Sequence, residues 1–164
     1  MCGIAGIHFK HEVAPEVLDR AAAHFAGSLK HRGPDHYGQH RTARAVYANL
    51  RLAIVDRSGG NQPIYAPGAQ RGIVYNGEVY NHEALRAALA SRWTFTTHAD
   101  TEAVLATVLH FGDEGLARLN GMFGLCLFDD RDGSFLLARD RFGMKPLYVY
   151  EDEHCIAFAS ELRT

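Results

Sequence analysis

The sequence predicts an α+β fold in which two antiparallel sheets pack on one another with helices outside. Three observations carry this. Strand-like runs come early and late in the chain, with helical patterns between them. Three runs, Val46–Leu50, Ile73–Tyr75 and Phe123–Phe128, are apolar on both faces and need cover on both sides. The late runs pair naturally as hairpins, Met122–Phe128 with Phe135–Arg139 and Leu147–Glu151 with Cys155–Ala159. Packed sheets flanked by helices satisfy all three.

The elements follow in order. Ile4, Ala5 and Ile7 make a short buried strand. Pro15 opens a helix, since its fixed φ and missing N–H suit a first turn, and Leu18, Ala22, Phe25 and Leu29 recur on one face. That helix stops at the turn-rich loop 31–36, broken by Gly33-Pro34. Strands are expected over Ala45–Leu50 and Leu52–Asp56, joined at Arg51, then over Gly72–Tyr75, ending at Asn76-Gly77. Asn81 is placed to cap a helix from His82 to Ser91. Asp100 or Thr101 is placed to cap the next, which turns Val104, Leu105, Val108 and Leu109 inward and ends at Gly112. A short helix covers Glu114–Leu119.

Composition excludes several classes. The chain has 164 residues, is 47% hydrophobic and 22% charged, and carries a formal net charge of -2. A sizeable core is therefore expected in a single domain. No basic footprint for nucleic acid or an anionic membrane is present. No apolar run approaches the ~20 residues of a membrane span, and no signal peptide is recognisable. The cysteines, Cys2, Cys126 and Cys155, lack metal-type spacing, and the ten histidines form no paired ligand motif. No metal site is expected, Cys126 and Cys155 read as core residues, and a cytoplasmic home is expected.

Chemistry points to the start of the chain. Cys2 follows the initiator methionine, and its small size predicts removal of Met1. The residue would then carry a thiol nucleophile beside a free α-amine. With an unperturbed pKa of about 7.7–8.0, that amine can take the thiol proton and return it to a leaving group. An N-terminal thiol that cleaves an amide needs oxyanion donors and a charge-complementary pocket. Asn76-Gly77 can supply a side-chain amide and a backbone N–H, or can be an ordinary hairpin turn. Arg51 offers a guanidinium fork to a carboxylate. Asp100 either caps a helix or accepts an ammonium. Together Arg51 and Asp100 match the zwitterionic end of a free amino acid.

A series of motifs now stands in order: Met1-Cys2-Gly3-Ile4-Ala5-Gly6, His31-Arg32-Gly33-Pro34-Asp35, Arg51-Leu52-Ala53-Ile54-Val55-Asp56, Gln62-Pro63, Asn76-Gly77-Glu78-Val79-Tyr80-Asn81, Asp100-Thr101-Glu102, and the Arg139–Tyr148 segment. With these the chain closely resembles the class II glutamine amidotransferase domain of glutamine-dependent asparagine synthetases. The resemblance implies a four-layer αββα sandwich, the N-terminal-nucleophile (Ntn) hydrolase fold. It implies that Cys2 attacks the side-chain amide of L-glutamine, that ammonia leaves, and that a γ-glutamyl thioester is hydrolysed. By the match, Arg51 binds the α-carboxylate, Asp100 the α-ammonium, and Asn76 with Gly77 the oxyanion. Leu52, Ile54, Val55 and Glu78 line the pocket, and Arg32 with Gly33 wall it. The Arg139–Tyr148 segment would face an ATP-dependent synthetase domain or subunit that receives the ammonia.

Residues 1–164 would thus be the glutaminase domain alone, truncated at its C-terminus. ATP and Mg²⁺ are expected only in the absent synthetase domain, with no cofactor here; a homodimer is compatible with this. Two alternatives remain: the glutaminase component of another biosynthetic amidotransferase, or a catalytically silent scaffold of the same fold. The presence of Cys2 speaks against the scaffold. The SOS-response-associated peptidases also begin Met-Cys-Gly, but the slight acidity and the Arg51, Asn76-Gly77 and Asp100 set argue against them.

Overall fold

The computed structural model describes residues 2–53 and 59–164. Its elements are β1 (Gly3–Phe9), α1 (Pro15–Ser28), β2 (His36–Arg41), β3 (Ala45–Arg51), β4 (Ile64–Tyr65), β5 (Arg71–Val79), α2 (His82–Leu89), α3 (Asp100–Phe111), α4 (Asp113–Ala117), β6 (Gly121–Asp129), β7 (Ser134–Arg139), β8 (Tyr148–Glu151) and β9 (Cys155–Ala159). They form a five-stranded sheet, β2-β3-β1-β9-β8, and a four-stranded sheet, β4-β5-β6-β7. Every adjacent pair is antiparallel.

Strand alternation explains the layers. Side chains along a strand point alternately to opposite faces. In β1, Ile4 joins a core between the sheets, and Ala5 joins a core under α1 with Leu18, Phe25 and Leu29. In β5 and β6, Val74, Cys126 and Phe128 face the first sheet. Ile73, Tyr75, Leu125 and Leu127 face away from it and pack with Leu85, Val104 and Leu105 of α2 and α3. Three cores thus separate four layers, the expected αββα sandwich.

Several local expectations need correction. No strand covers Leu52 and Ala53, because β3 ends at Arg51; the remainder of that expected strand, 54–56, lies outside the described residues. The strand expected to stop at Tyr75 runs on to Val79, because β6 pairs with it along its whole length, Asn76 opposite Gly124 and Gly77 opposite Phe123. Asn76-Gly77 is therefore no turn. Gly77 is required there by close approach: a Cβ would stand 2.4 Å from the Met122 carbonyl oxygen. Asn81 does not cap α2 with its side chain, which instead bonds Arg118 O and Asn120 N. Neither Asp100 nor Thr101 caps α3, whose N-cap is Ala99. The last short helix spans Asp113–Ala117 rather than 114–119. Strands β2 and β4 were not expected: β2 is a polar edge and β4 only two residues long.

One buried carboxylate shapes the turn after β7. Asp140 is 5% exposed and accepts four backbone N–H groups, from Phe123, Phe142, Met144 and Lys145, at 3.0–3.1 Å. The turn presents Phe142 and Met144 to solvent and turns Lys145 inward. Burial pushes the carboxyl up, but these amides outweigh it and hold it below its ordinary value of 3.8. A lowered folded value gives stability that is present above the unfolded pKa and lost as pH falls through the folded one. Asp140→Asn should therefore cost about 3 kcal/mol at neutral pH and lower the melting temperature by about 10 °C. The two proteins should converge in thermal melts as the pH drops below 3.8; a gap that persists there would refute the charge-assisted account.

Candidate active site

A cavity of about 200 Å³ opens at one end of the sandwich. The same alternation that built the cores delivers its key side chains. In β1, Ile4 points between the sheets, so Cys2, two positions earlier, lies on the same side. In β3, Tyr47 faces the second sheet, which puts Arg51 on that face at the strand's end. In β5, Val74 does so, followed by Asn76. Gly3 sits opposite Leu50, so the beginning of β1 and the end of β3 meet. The cavity is lined by Cys2, Arg51, Leu52, Asn76, Gly77, Glu78 and Asp100, all anticipated from the sequence. Ile54 and Val55, expected beside them, lie outside the described residues, as does Met1.

Cys2 is half-buried. Its Sγ lies 3.7 Å from Leu52 O and accepts Leu52 N–H at 3.4 Å. Arg32 and Gly33 do not line the cavity; Arg32 supports Cys2 from behind and Gly33 packs against β3. Arg32 Nε donates to Cys2 O at 3.0 Å, and its Nη1 pairs with Glu161 Oε1 at 3.0 Å. Gly33 lies so close to β3 that a Cβ would meet Leu50 O at 2.0 Å. Arg32 thus holds the backbone that carries the thiol, while Gly33 lets its loop pack against the end of β3.

The remaining polar groups are arranged by β5. Tyr75 N–H points away from β6 and donates to Gln62 Oε1 at 2.6 Å. Val79 N–H does likewise, donating to Asp100 Oδ2 at 2.9 Å. Backbone N–H groups alternate sides along a strand, so Gly77 N–H, midway between them, also faces away from the ladder. Beside it, the Asn76 side chain is 2% exposed and its Nδ2 has no partner among the described residues. A buried donor without a partner is costly and calls for an explanation. Asn76 and Gly77 thus present two donors on the cavity side of β5.

Charges of both signs surround the cavity. Arg51 is 4% exposed and donates through Nη1 to Asn61 Oδ1 at 2.8 Å. Asp100 accepts Tyr75 O–H at 2.9 Å besides Val79 N–H. Next to it, Glu102 is buried and gathers the backbone N–H groups of Thr96 and Thr97, tying the loop before α3 to its first turn. Burial raises the Glu102 carboxyl, but these bonds prevail and hold it low. Gln62, Tyr75, Met122 and Lys145 also line the cavity and were assigned no role from sequence. Gln62 and Lys145 sat inside quoted motifs, and Tyr75 precedes Asn76; position was the one available signal.

Among the described residues no group of three or more His, Cys, Asp or Glu could hold a metal ion. No described helix is long and apolar enough to cross a membrane.

Comparison with known proteins adds the family context. Residues 1–164 match the family described as glutamine amidotransferase domain. Asparagine synthetase B [glutamine-hydrolyzing] of Escherichia coli (strain K12) is 38% identical over 164 residues, 99% of this chain and 29% of that protein. Asparagine synthetase [glutamine-hydrolyzing] 1 of Bacillus subtilis (strain 168) is 35% identical over 166 residues, covering 100% of this chain and 26% of that one. The chain thus spans less than a third of these curated relatives. Among solved structures, glutamine phosphoribosylpyrophosphate amidotransferase from B. subtilis, complexed with ADP and GMP, superposes with a TM-score of 0.74. That likeness covers 97% of this chain and 42% of that chain at 20% identity, and speaks for the fold alone.

Proposed function

Because the chain belongs to the family of glutamine amidotransferase domains and folds as an Ntn-hydrolase sandwich, we propose that Cys2 is the nucleophile that releases ammonia from glutamine. With Met1 removed, the Cys2 α-amine takes the thiol proton. The sulfur attacks the side-chain amide carbon, and a tetrahedral oxyanion forms. Asn76 Nδ2 and Gly77 N–H receive that oxyanion. The ammonium formed on Cys2 gives its proton to the leaving nitrogen, the C–N bond breaks and ammonia departs. Water then attacks the γ-glutamyl thioester, glutamate leaves, and the thiol is restored.

Arg51 receives the α-carboxylate and Asp100 the α-ammonium, so the pocket matches both charged ends of glutamine. Leu52 and Glu78 complete its lining, and Arg32 fixes the Cys2 backbone. The observation that carries this reading is the buried Asn76 Nδ2, without a partner among the described residues, in the cavity that holds the Cys2 thiol. It is a donor already in place for a charge that appears only during reaction.

The names of the relatives support asparagine synthesis as the use of the ammonia, with an ATP-dependent synthetase domain or subunit as the acceptor. ATP and Mg²⁺ belong to that acceptor, and none is assigned to this chain. Incubation with L-glutamine should yield glutamate and ammonia in equal amounts. Absence of glutamate from protein whose intact mass shows Met1 removed would sink the reading.

A further inference from the structure

Among the described residues, the outer edge of β5 is paired only at Gly72 and Ile73, by the short β4. Beyond them, side chains take the place of a strand, and they converge on one residue. Tyr75 N–H donates to Gln62 Oε1 at 2.6 Å, and Tyr75 O accepts from Asn49 Nδ2 at 3.1 Å. Asn49 belongs to β3, so this second bond ties the two sheets together. Held at both backbone groups, Tyr75 is 2% exposed, with its ring in the core under α2 and α3. Its hydroxyl emerges at the cavity and donates to Asp100 Oδ2 at 2.9 Å. Val79 N–H reaches the same oxygen at 2.9 Å. Two donors on Oδ2, one from each side of Gly77, fix the carboxylate and leave Oδ1 for a ligand.

We propose that Tyr75 is a positioning residue that aims the Asp100 carboxylate at an α-ammonium group, so that the pocket discriminates L-glutamine from the same amide without the amine. The proposal rests on the assignment of Asp100 made above. Without the phenol, one donor remains, and the carboxylate is free to rotate about its last bond. A charge-assisted contact to the substrate depends on alignment as well as charge. Burial and the nearby Asp100 carboxylate push the Tyr75 hydroxyl well above its ordinary value of 10.0, so it stays a donor at neutral pH.

The test compares L-glutamine with 4-carbamoylbutanoate, which carries hydrogen in place of the α-amine. In Tyr75→Phe the KM for glutamine should rise about tenfold or more, the usual worth of a hydrogen bond to a charged group. The kcat should stay within about threefold. The preference for glutamine over the analogue, as a ratio of kcat/KM values, should fall by the same factor as the KM effect. Both compounds are assayed on one sample, so the ratio does not depend on how much protein is folded. Binding of the two compounds to the Cys2→Ala protein, with and without Tyr75→Phe, gives the same ratio without turnover. A purely structural role for Tyr75 would weaken both compounds equally and overturns the proposal. An unchanged ratio in Tyr75→Phe overturns it too. If Asp100→Asn loses the preference in that case, the glutaminase reading stands; if Asp100→Asn also keeps it, the ammonium role of Asp100 falls.

Discussion

Cys2→Ala protein should release glutamate from L-glutamine at least about a thousandfold more slowly than the parent chain. The effect is large because, in the proposed mechanism, the thiol forms the covalent bond on which both halves of the reaction depend. It should also be clean. Among the described residues, the hydrogen bonds of the Cys2 sulfur go to the Leu52 backbone, one long S–H contact and one N–H to sulfur bond. Arg32 grips the carbonyl, which alanine retains. Thermal melts of the two proteins should therefore overlay while glutamate release, followed by a coupled assay, collapses. Equal rates in both would remove Cys2 from the mechanism. Retention of Met1 should silence the parent chain in the same way, since the base would then be locked in a peptide bond; intact mass reports it.

Asn76→Ala is expected to lower kcat by about 10²–10³-fold, the usual cost of one lost oxyanion donor. The KM for glutamine should move by less than about threefold, because in the proposed mechanism the donor serves a charge that the bound substrate does not yet carry. Asn76 Nδ2 has no partner among the described residues, so truncation breaks no bond there in the resting protein. Asn76→Asp keeps the shape but sets an acceptor where a donor is needed, and should be as damaging. Steady-state kinetics on the two variants decide the matter. A rise in KM with kcat preserved would place Asn76 in ground-state binding instead.

Cys2, Arg51, Asn76 and Gly77, which meet at the cavity, could be picked out of the sequence because the motifs that carry them stand in order, although each alone had an ordinary structural reading. The layering was visible too, since runs such as Phe123–Phe128 are apolar on both sides and demand two covers. Local signals failed where a distant partner decides. Asn-Gly favours a turn locally, yet β6 holds both residues inside a nine-residue strand. Asp100 stands where a helix cap is expected, but its carboxylate turns to Tyr75 and Val79 of β5. The polar β2 carries no strong strand signal, because an edge strand needs little more than the ladder it shares with β3. Tyr75 and Gln62 escaped assignment for the same reason: their roles exist only once β4 stops after two residues and exposes the flank of β5.

β1 is the middle strand of its sheet, laddered to β3 on one side and β9 on the other. Many enzymes hang reactive groups on loops that loosen before the body melts. Here the sulfur is anchored one residue ahead of the most interior ladder, so warming offers it no independent way to wander. Inactivation by heat and collapse of the whole domain become a single event.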